Sequence, residues 1–329
     1  MSKLLISLLL AVLVLIACSK DDELPANNAH LASLEEQLRT TDITAHPEQR
    51  YFQNHPLPVG KKSLRVLCIG NSYTSDALRY VPDIMKGAEI ADYSFSIYKV
   101  VIGGASLQTW WKTIAHNDTI ELVHVAGSKM PLRKGTWKDL LAQSWDIITL
   151  QQVSHDAVNY ETFNPCLRKL IDFIRENCLN QNVTLAWQTA WSYSQLFSPQ
   201  MSSYERWLYI SLAVQQMVMT DGIDVLIPVG TAIQNARATS LNTASELTRD
   251  GTHLDLGVGC YVASCAWFEA LIAPVFGISV RGNEVIPPIR TVTEDVLYPS
   301  QPVTEENLDL CQRCAVAAVK NPFVIVSGS

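Results

Sequence analysis

Two short motifs, far apart in the chain, contain the residue types that serine-based acyl transfer requires. Ser72 lies in a Gly-Asn-Ser-Tyr sequence at 70–73, and Asp250 and His253 lie in an Asp-Gly-Thr-His sequence at 250–253. A serine hydroxyl becomes a nucleophile when a neighbouring base takes its proton, and a carboxylate beside that base orients the ring and stabilises its protonated form. The motifs therefore predict Ser72 as nucleophile, His253 as base and Asp250 as the residue that orients the base.

The elements around these motifs would place them at one edge of a sheet. An apolar run at 64–69 is typical of a buried parallel strand, and it ends just before Ser72. In open α/β sheets, ligands bind at the carboxyl ends of the strands. Taken singly, each motif also fits a plain turn that leads into a helix, the second of them into a helix that begins near Leu254.

Strand and helix patterns alternate through the middle of the chain. This alternation predicts an α/β three-layer sandwich, in which a five-stranded parallel sheet is flanked by helices. The segment 119–136 interrupts the pattern as an excursion or small hairpin near the site. The predicted strands are 64–69, 95–102, 146–150, 183–187 and 224–229, and the main predicted helices are 75–90, 163–177, 203–220, 254–271 and 305–319.

The pair of motifs, with the serine early and Asp-x-x-His late, resembles the SGNH (GDSL-like) hydrolase superfamily. The resemblance covers residues 61–280 and is to a bacterial lipoprotein branch whose opening block reads Gly-Asn-Ser-Tyr. It implies a flavodoxin-like fold, a serine esterase activity and an oxyanion hole. In that hole, the N–H groups of Ser72 and Gly104 would be two donors, Gly104 because it lies in a Gly-Gly-Ala-Ser sequence after the second strand.

The third block of the superfamily is where this chain departs from the pattern. Many relatives have Gly-x-Asn-Asp after the third strand, whereas this chain has Gln-Gln-Val-Ser-His-Asp at 151–156. A glutamine amide can donate a hydrogen bond as an asparagine does, so Gln151 is the predicted third oxyanion donor. Gln152 and His155 stay open as alternatives, because neighbouring side chains of a strand point to opposite faces.

The N-terminus predicts export and lipidation. A lysine precedes an apolar stretch at 4–17, which is shorter than the roughly 20 residues of a membrane-spanning helix but suits a signal peptide. The sequence Leu-Ile-Ala-Cys at its end resembles a lipoprotein box, which implies cleavage after residue 17 and acylation of Cys18. The acidic residues that follow resemble an export tag for surface lipoproteins. We therefore expect a lipid anchor in the outer membrane, facing the cell surface or the periplasm.

Composition limits the partners and the layout of the chain. Acidic residues outnumber basic ones, 32 to 25, for a net charge of −7. This balance argues against nucleic acid, whose phosphates need clustered Lys and Arg. We expect a tether at 18–60, a hydrolase domain at 61–285 and a C-terminal extension at 286–329. The histidines lack metal-ligand spacing, and the expected chemistry requires neither a metal nor an organic cofactor.

Aromatic residues near the predicted site suggest a substrate class. Trp187 and Trp191 follow the fourth strand, and Trp110 and Trp111 follow Gly104; their rings would either stack on sugars or pack in the core. With the resemblance to surface lipoproteins, they favour an esterase that removes O-acetyl groups from carbohydrates. The alternatives are a lipid or aryl esterase and a non-catalytic glycan-binding lipoprotein. The protein partners, the acyl group and the disulfide pattern are not predicted.

Overall fold

The chain divides into two compact units, residues 1–41 and 42–329. In the first unit, the described residues form one helix, α1 (Glu23–Thr40), within the expected tether at 18–60. The signal peptide at 1–17 and Cys18 lie outside the described residues, so the lipid anchor stays a prediction. The computed structural model describes residues 23–41, 57–90, 94–290 and 296–326.

The second unit is built around a six-stranded sheet. From one edge to the other, the strands of this sheet lie at 123–127, 94–101, 63–70, 147–150, 184–188 and 225–227. All pairings are parallel except the one between the first two strands of this order. The five-stranded parallel sheet is confirmed, with an antiparallel strand added at one edge. In chain order, the strands are β1 (Ser63–Gly70), β2 (Ser94–Val101), β3 (Thr119–Glu121), β4 (Val123–Gly127), β5 (Lys134–Thr136), β6 (Ile147–Leu150), β7 (Thr184–Gln188) and β8 (Val225–Ile227).

Burial explains which strands the sequence pattern revealed. Every residue of β6, β7 and β8 is buried, as expected for parallel strands covered on both faces, and most residues of these strands are apolar. The edge strand β4 is mostly exposed or half-buried, so it has no apolar run. It lies in the expected excursion at 119–136, where β3 and β5 also pair as a separate antiparallel hairpin.

Helices pack into two groups that flank the sheet. One group contains the helices at 107–115, 137–141 and 166–177. The other is centred on the helices at 229–237, 258–267 and 305–320, and it includes those at 72–77, 81–87 and 203–220. The single helix expected at 75–90 is instead two, because Pro82 lies in the first turn of a new helix. The helices are α2 (Ser72–Ala77), α3 (Val81–Gly87), α4 (Leu107–Ala115), α5 (Trp137–Leu141), α6 (Cys166–Asn177), α7 (Ser203–Thr220), α8 (Val229–Arg237), α9 (Val258–Trp267), α10 (Ala273–Phe276) and α11 (Glu305–Lys320).

The most apolar helical stretch belongs to the core of this unit. Among the described residues, Val258–Phe276 is the one helical stretch long and apolar enough to cross a membrane, yet 89% of it is buried inside the fold. The C-terminal extension packs against its first part: the Val258 N–H donates to the carbonyl of Gln301, and α11 contacts α8 and α9. The described part of the extension therefore contributes to the same core.

A buried ion pair joins α2 to the segment that contains the predicted base. Arg249 Nη1 lies 2.8 Å from Asp76 Oδ2, and the two side chains are 2% and 4% exposed. The same carboxylate oxygen accepts the N–H of Leu254, and the guanidinium donates to the Leu254 carbonyl. Because Asp76 lies one helical turn after Ser72, the pair fixes the position of α2 relative to residues 249–254.

Removing the cation of this pair should destabilise the fold strongly. In Arg249→Leu, Asp76 stays buried without its counter-ion, so we expect the free energy of unfolding to fall by about 3–5 kcal/mol. Urea denaturation followed by tryptophan fluorescence measures the change. The matched control is Arg281→Leu, which breaks an exposed pair with Asp309 and should cost less than about 1 kcal/mol. Equal losses in the two variants would contradict a structural role for the buried pair.

Candidate active site

Ser72 lies on a tight turn at the carboxyl end of β1. It is the first residue of α2, and Asn71 caps that helix by accepting the Tyr73 N–H on its Oδ1 at 3.0 Å. Residue 70 has to be glycine, because a Cβ there would lie 2.0 Å from Thr74 Oγ1. The turn therefore places a half-buried Ser72 hydroxyl at the sheet edge where ligands of α/β proteins bind.

The predicted base lies on a short closed loop. The Arg249 N–H donates to the His253 carbonyl at 2.9 Å, which closes the loop at its base. Inside it, Asp250 Oδ1 accepts the N–H groups of Thr252 and His253 at 2.8 and 2.7 Å. Gly251 has a φ of +92°, a conformation that favours glycine, and a Cβ there would collide with Phe197. This geometry holds the carboxylate of Asp250 beside the imidazole of His253.

The structure brings the three predicted catalytic side chains together in one chain of hydrogen bonds. His253 Nε2 lies 2.9 Å from Ser72 Oγ, and His253 Nδ1 lies 2.6 Å from Asp250 Oδ2. The side chains of His253 and Asp250 are 27% and 24% exposed, so the site opens to solvent. In this arrangement, the imidazole can take the hydroxyl proton on one nitrogen while the carboxylate holds the other.

Electrostatics in the loop favour a charged carboxylate next to a strong base. The hydrogen bond that His253 donates to Asp250 raises the pKa of His253 above its ordinary value, although partial burial of the ring opposes this effect. Burial raises the pKa of Asp250, but the hydrogen bonds that it accepts from His253 and Thr252 outweigh burial and hold that pKa far below its usual range. Asp250 is therefore ionised at neutral pH, and His253 binds a proton more tightly than a free histidine does.

Two backbone N–H groups beside Ser72 are available to a ligand. Asn71 Nδ2 donates to the Ala105 carbonyl at 3.1 Å, which ties the turn after β1 to the loop after β2. That loop contains Gly104, one of the predicted oxyanion donors. Within the described part of the chain, neither the Ser72 N–H nor the Gly104 N–H has a hydrogen-bond acceptor. Their parts as oxyanion donors stay predictions.

Gln151 lies in a buried amide network directly below the turn. Its Nε2 donates to Asn71 Oδ1, and its Oε1 accepts hydrogen bonds from Thr74 Oγ1 at 2.6 Å and Gln188 Nε2 at 3.0 Å. The side chain is 3% exposed. Nε2 has a second N–H, for which the described residues offer no acceptor. In the resting site, Gln151 therefore supports Asn71, and its part as an oxyanion donor stays a prediction.

The two alternatives to Gln151 have other surroundings. Gln152 is buried; its Oε1 accepts the Leu107 N–H at the start of α4, and its Nε2 donates to the Thr162 carbonyl. His155 is largely exposed, with its nearest charged partner Asp156 at 3.6 Å. Gln152 thus holds neighbouring backbone segments, and neither residue has a described contact with Ser72.

The tryptophans near the site pack in the core and do not line a sugar-binding surface. Trp110, Trp187 and Trp191 are at most 2% exposed, and Trp111 is half-buried with the Lys169 ammonium over its ring. A different aromatic side chain, Phe197, is exposed beside the base loop, where it contacts Gly251. The exposed aromatic ring beside the base loop is therefore on the loop after β7 and is not one of these tryptophans.

Sequence patterns missed the residues that support the site from below. Asp76 and Arg249, which are 173 positions apart, were not among the predicted site residues, and neither was Gln188, which lies 37 positions from the predicted Gln151. Neither separation is a short spacing that would mark the two residues as being in contact. The one usable signal was the position of Arg249, a charged residue directly before the Asp-x-x-His motif.

The chain is similar to several solved structures. One is a DUF4886 family protein from Bacteroides uniformis, 28% identical with a TM-score of 0.66, which covers 81% of this chain and 98% of its own. A candidate SGNH hydrolase from Slackia heliotrinireducens is 20% identical with a TM-score of 0.44, covering 63% of this chain and 98% of its own. An acetylxylan esterase from Geobacillus stearothermophilus is 13% identical with a TM-score of 0.44, covering 64% and 94%. At TM-scores below 0.5, the last two likenesses are too weak to transfer an activity.

Sequence comparison assigns the family directly. No curated protein matches the chain. The model of the family described as a domain of unknown function, DUF4886, matches residues 65–296. This range contains most of β1, the Ser72 turn, the Gly104 loop and the loop of Asp250 and His253. Because the match covers well over half of the 329 residues, the chain belongs to the DUF4886 family.

Proposed function

We propose that this protein is a serine esterase that hydrolyses O-acyl esters. The observation that carries the proposal is the chain of hydrogen bonds from Ser72 through His253 to Asp250, beside the Ser72 and Gly104 N–H groups, for which the described residues offer no acceptor. A nucleophile, a base, an orienting carboxylate and oxyanion donors are together the requirements of acyl transfer. A protein that only binds its ligand has no need of all four.

The proposed reaction begins with acylation of Ser72. His253 Nε2 takes the hydroxyl proton as Oγ attacks the ester carbonyl, and Asp250 stabilises the imidazolium that forms. The carbonyl oxygen becomes an oxyanion, which accepts hydrogen bonds from the N–H groups of Ser72 and Gly104 and from the second N–H of Gln151. The C–O bond to the alcohol then breaks, and the alcohol leaves with the proton from His253.

Water completes the reaction. His253 takes a proton from a water molecule that attacks the acyl-enzyme, and the same donors hold the second oxyanion. When the bond to Ser72 Oγ breaks, the acid departs and the proton returns to the serine. The residues described supply each proton transfer, so none of these steps calls for a metal or an organic cofactor.

The proposed substrates are O-acetyl esters of carbohydrates. The support is the resemblance of the N-terminus to surface lipoproteins, which often belong to glycan-degrading systems, and the loop after β7, where Leu196 and Phe197 are 57% and 55% exposed. An exposed aromatic ring offers an apolar face to the C–H groups of a sugar. Phe197 lies against Gly251 of the base loop, so a sugar on its ring would be close to the reacting ester.

Hydrolysis should depend on Ser72 and not on its neighbouring serine. We expect Ser72→Ala to lower kcat on 4-nitrophenyl acetate by on the order of 10⁶, because the nucleophile is lost. Ser75→Ala, on the same helix, removes a hydroxyl that accepts a hydrogen bond from Lys99 Nζ and should keep near-normal turnover. A folded Ser72→Ala protein with normal turnover would exclude this assignment.

Acetate release from acetylated oligosaccharides, compared with release from phenyl acetate and triacetin, tests the substrate class.

The pH dependence should report the hydrogen bond between His253 and Asp250. The base acts only when neutral, so a raised pKa of His253 places the acidic limb of kcat/KM above the ordinary histidine value of 6.5. In Asp250→Asn, the limb should move to lower pH and kcat should fall by roughly 10⁴. Titration of the His253 ring by NMR provides the same pKa without turnover. A limb that stays in place or moves upward in Asp250→Asn would contradict the assignment of Asp250.

The part of Gln151 can be measured by its effect on kcat. If its amide donates to the oxyanion, Gln151→Ala should lower kcat by roughly 10² to 10³ and leave KM nearly unchanged, because the contact forms only in the transition state. Gln152→Ala is the comparison, since it removes a buried amide of equal size. Circular dichroism checks that both variants fold. Normal turnover in Gln151→Ala, with the loss in Gln152→Ala or His155→Ala, would assign the third donor elsewhere.

A further inference from the structure

The carbonyl of Thr252 accepts two hydrogen bonds from aromatic side chains. Tyr73 Oη donates to it at 2.9 Å, and Trp191 Nε1 donates at 2.8 Å. A carbonyl oxygen has two lone pairs, so these donors saturate it without water. Thr252 immediately precedes His253, and this oxygen therefore belongs to the peptide group that leads into the base.

The two rings form one rigid unit below the site. Their centroids are 3.7 Å apart and their planes differ by 3°, and Tyr73 and Trp191 are 3% and 0% exposed. Burial raises the pKa of the Tyr73 phenol well above its usual range, so the group stays protonated and able to donate. Neither ring is placed to contact a substrate, since both are covered by protein.

The hydrogen bonds hold the peptide group between Thr252 and His253 at both ends. Its carbonyl is bound by the two rings, and its N–H donates to Asp250 Oδ1 at 2.7 Å. Tyr73 directly follows Ser72 in the chain, and its ring packs edge-on to His253 at 6.0 Å between centroids. The residue next to the nucleophile therefore fixes the backbone from which the base extends.

We propose that Tyr73 and Trp191 are positioning residues that set the distance between Ser72 Oγ and His253 Nε2. The assignment rests on the proposed esterase function for its kinetic consequence, but the contact itself is independent of substrate. Proton transfer between these atoms depends steeply on their separation, and a misplacement of about 1 Å can cost on the order of 100-fold in rate. The hydrogen bond from Tyr73 to the Thr252 carbonyl thus joins the residue after the nucleophile to the residue before the base.

The test removes each donor while keeping an aromatic ring. In Tyr73→Phe and in Trp191→Phe, we expect kcat on an acetyl ester to fall roughly 10-fold with little change in KM. The matched controls are Tyr98→Phe, which removes a buried hydroxyl that accepts the Met130 N–H, and Trp137→Phe, which removes a donor to Thr113. Both controls lie outside the site and should keep normal kcat.

Hydrogen exchange measured by mass spectrometry provides a readout that needs no activity. The backbone amides of residues 250–253 should exchange faster in Tyr73→Phe and Trp191→Phe than in the wild type, and at the wild-type rate in the two controls. Unchanged exchange and unchanged kcat in the site variants would overturn the proposal, as would equal losses in the controls. Faster exchange in a protein that hydrolyses no ester would support the positioning contact and reject the esterase function.

Discussion

The buried ion pair between Asp76 and Arg249 is the interaction on which the rest of the site depends. It joins α2, which begins at Ser72, to the loop that ends at His253, across 173 positions of sequence. A buried pair of charges is costly to separate, because either partner alone would remain in the core without compensation. The backbone of Leu254 adds two hydrogen bonds to the same side chains. The elements that carry the nucleophile and the base are therefore held together by a contact that includes neither of them.

The sheet determines where the remaining parts of the site meet. Three neighbouring parallel strands, β2, β1 and β6, end at the same edge, and each leads into a loop that contributes to the site. Asn71 joins two of these loops through the Ala105 carbonyl, and Gln151 joins the third to Asn71. The polar groups of the network are buried and hydrogen-bonded to one another, so the turn around Ser72 has little freedom to move. Rigid placement of this kind is what a preorganised oxyanion site requires.

Much of the fold and part of the site could be predicted from sequence. The parallel strands were recognisable because burial on both faces makes them largely apolar runs. Ser72, Asp250 and His253 were recognisable because each lies in a short local motif. The edge strand β4 was missed because half its surface faces solvent. Whether the tryptophans lie in the core or at a sugar-binding surface could not be predicted from residue type alone, because an indole ring suits both places. Tyr73 and Trp191 were not recognisable as partners, because only the fold brings both to the Thr252 carbonyl.

The most direct test of the account is a crystal structure of the protein after reaction with a fluorophosphonate. This reagent phosphonylates an activated serine and leaves a tetrahedral group that mimics the acyl-transfer intermediate. We expect a covalent bond to Ser72 Oγ, with the phosphonyl oxygen accepting hydrogen bonds from the N–H groups of Ser72 and Gly104. An unmodified Ser72, or an adduct whose oxygen faces away from both N–H groups, would contradict it.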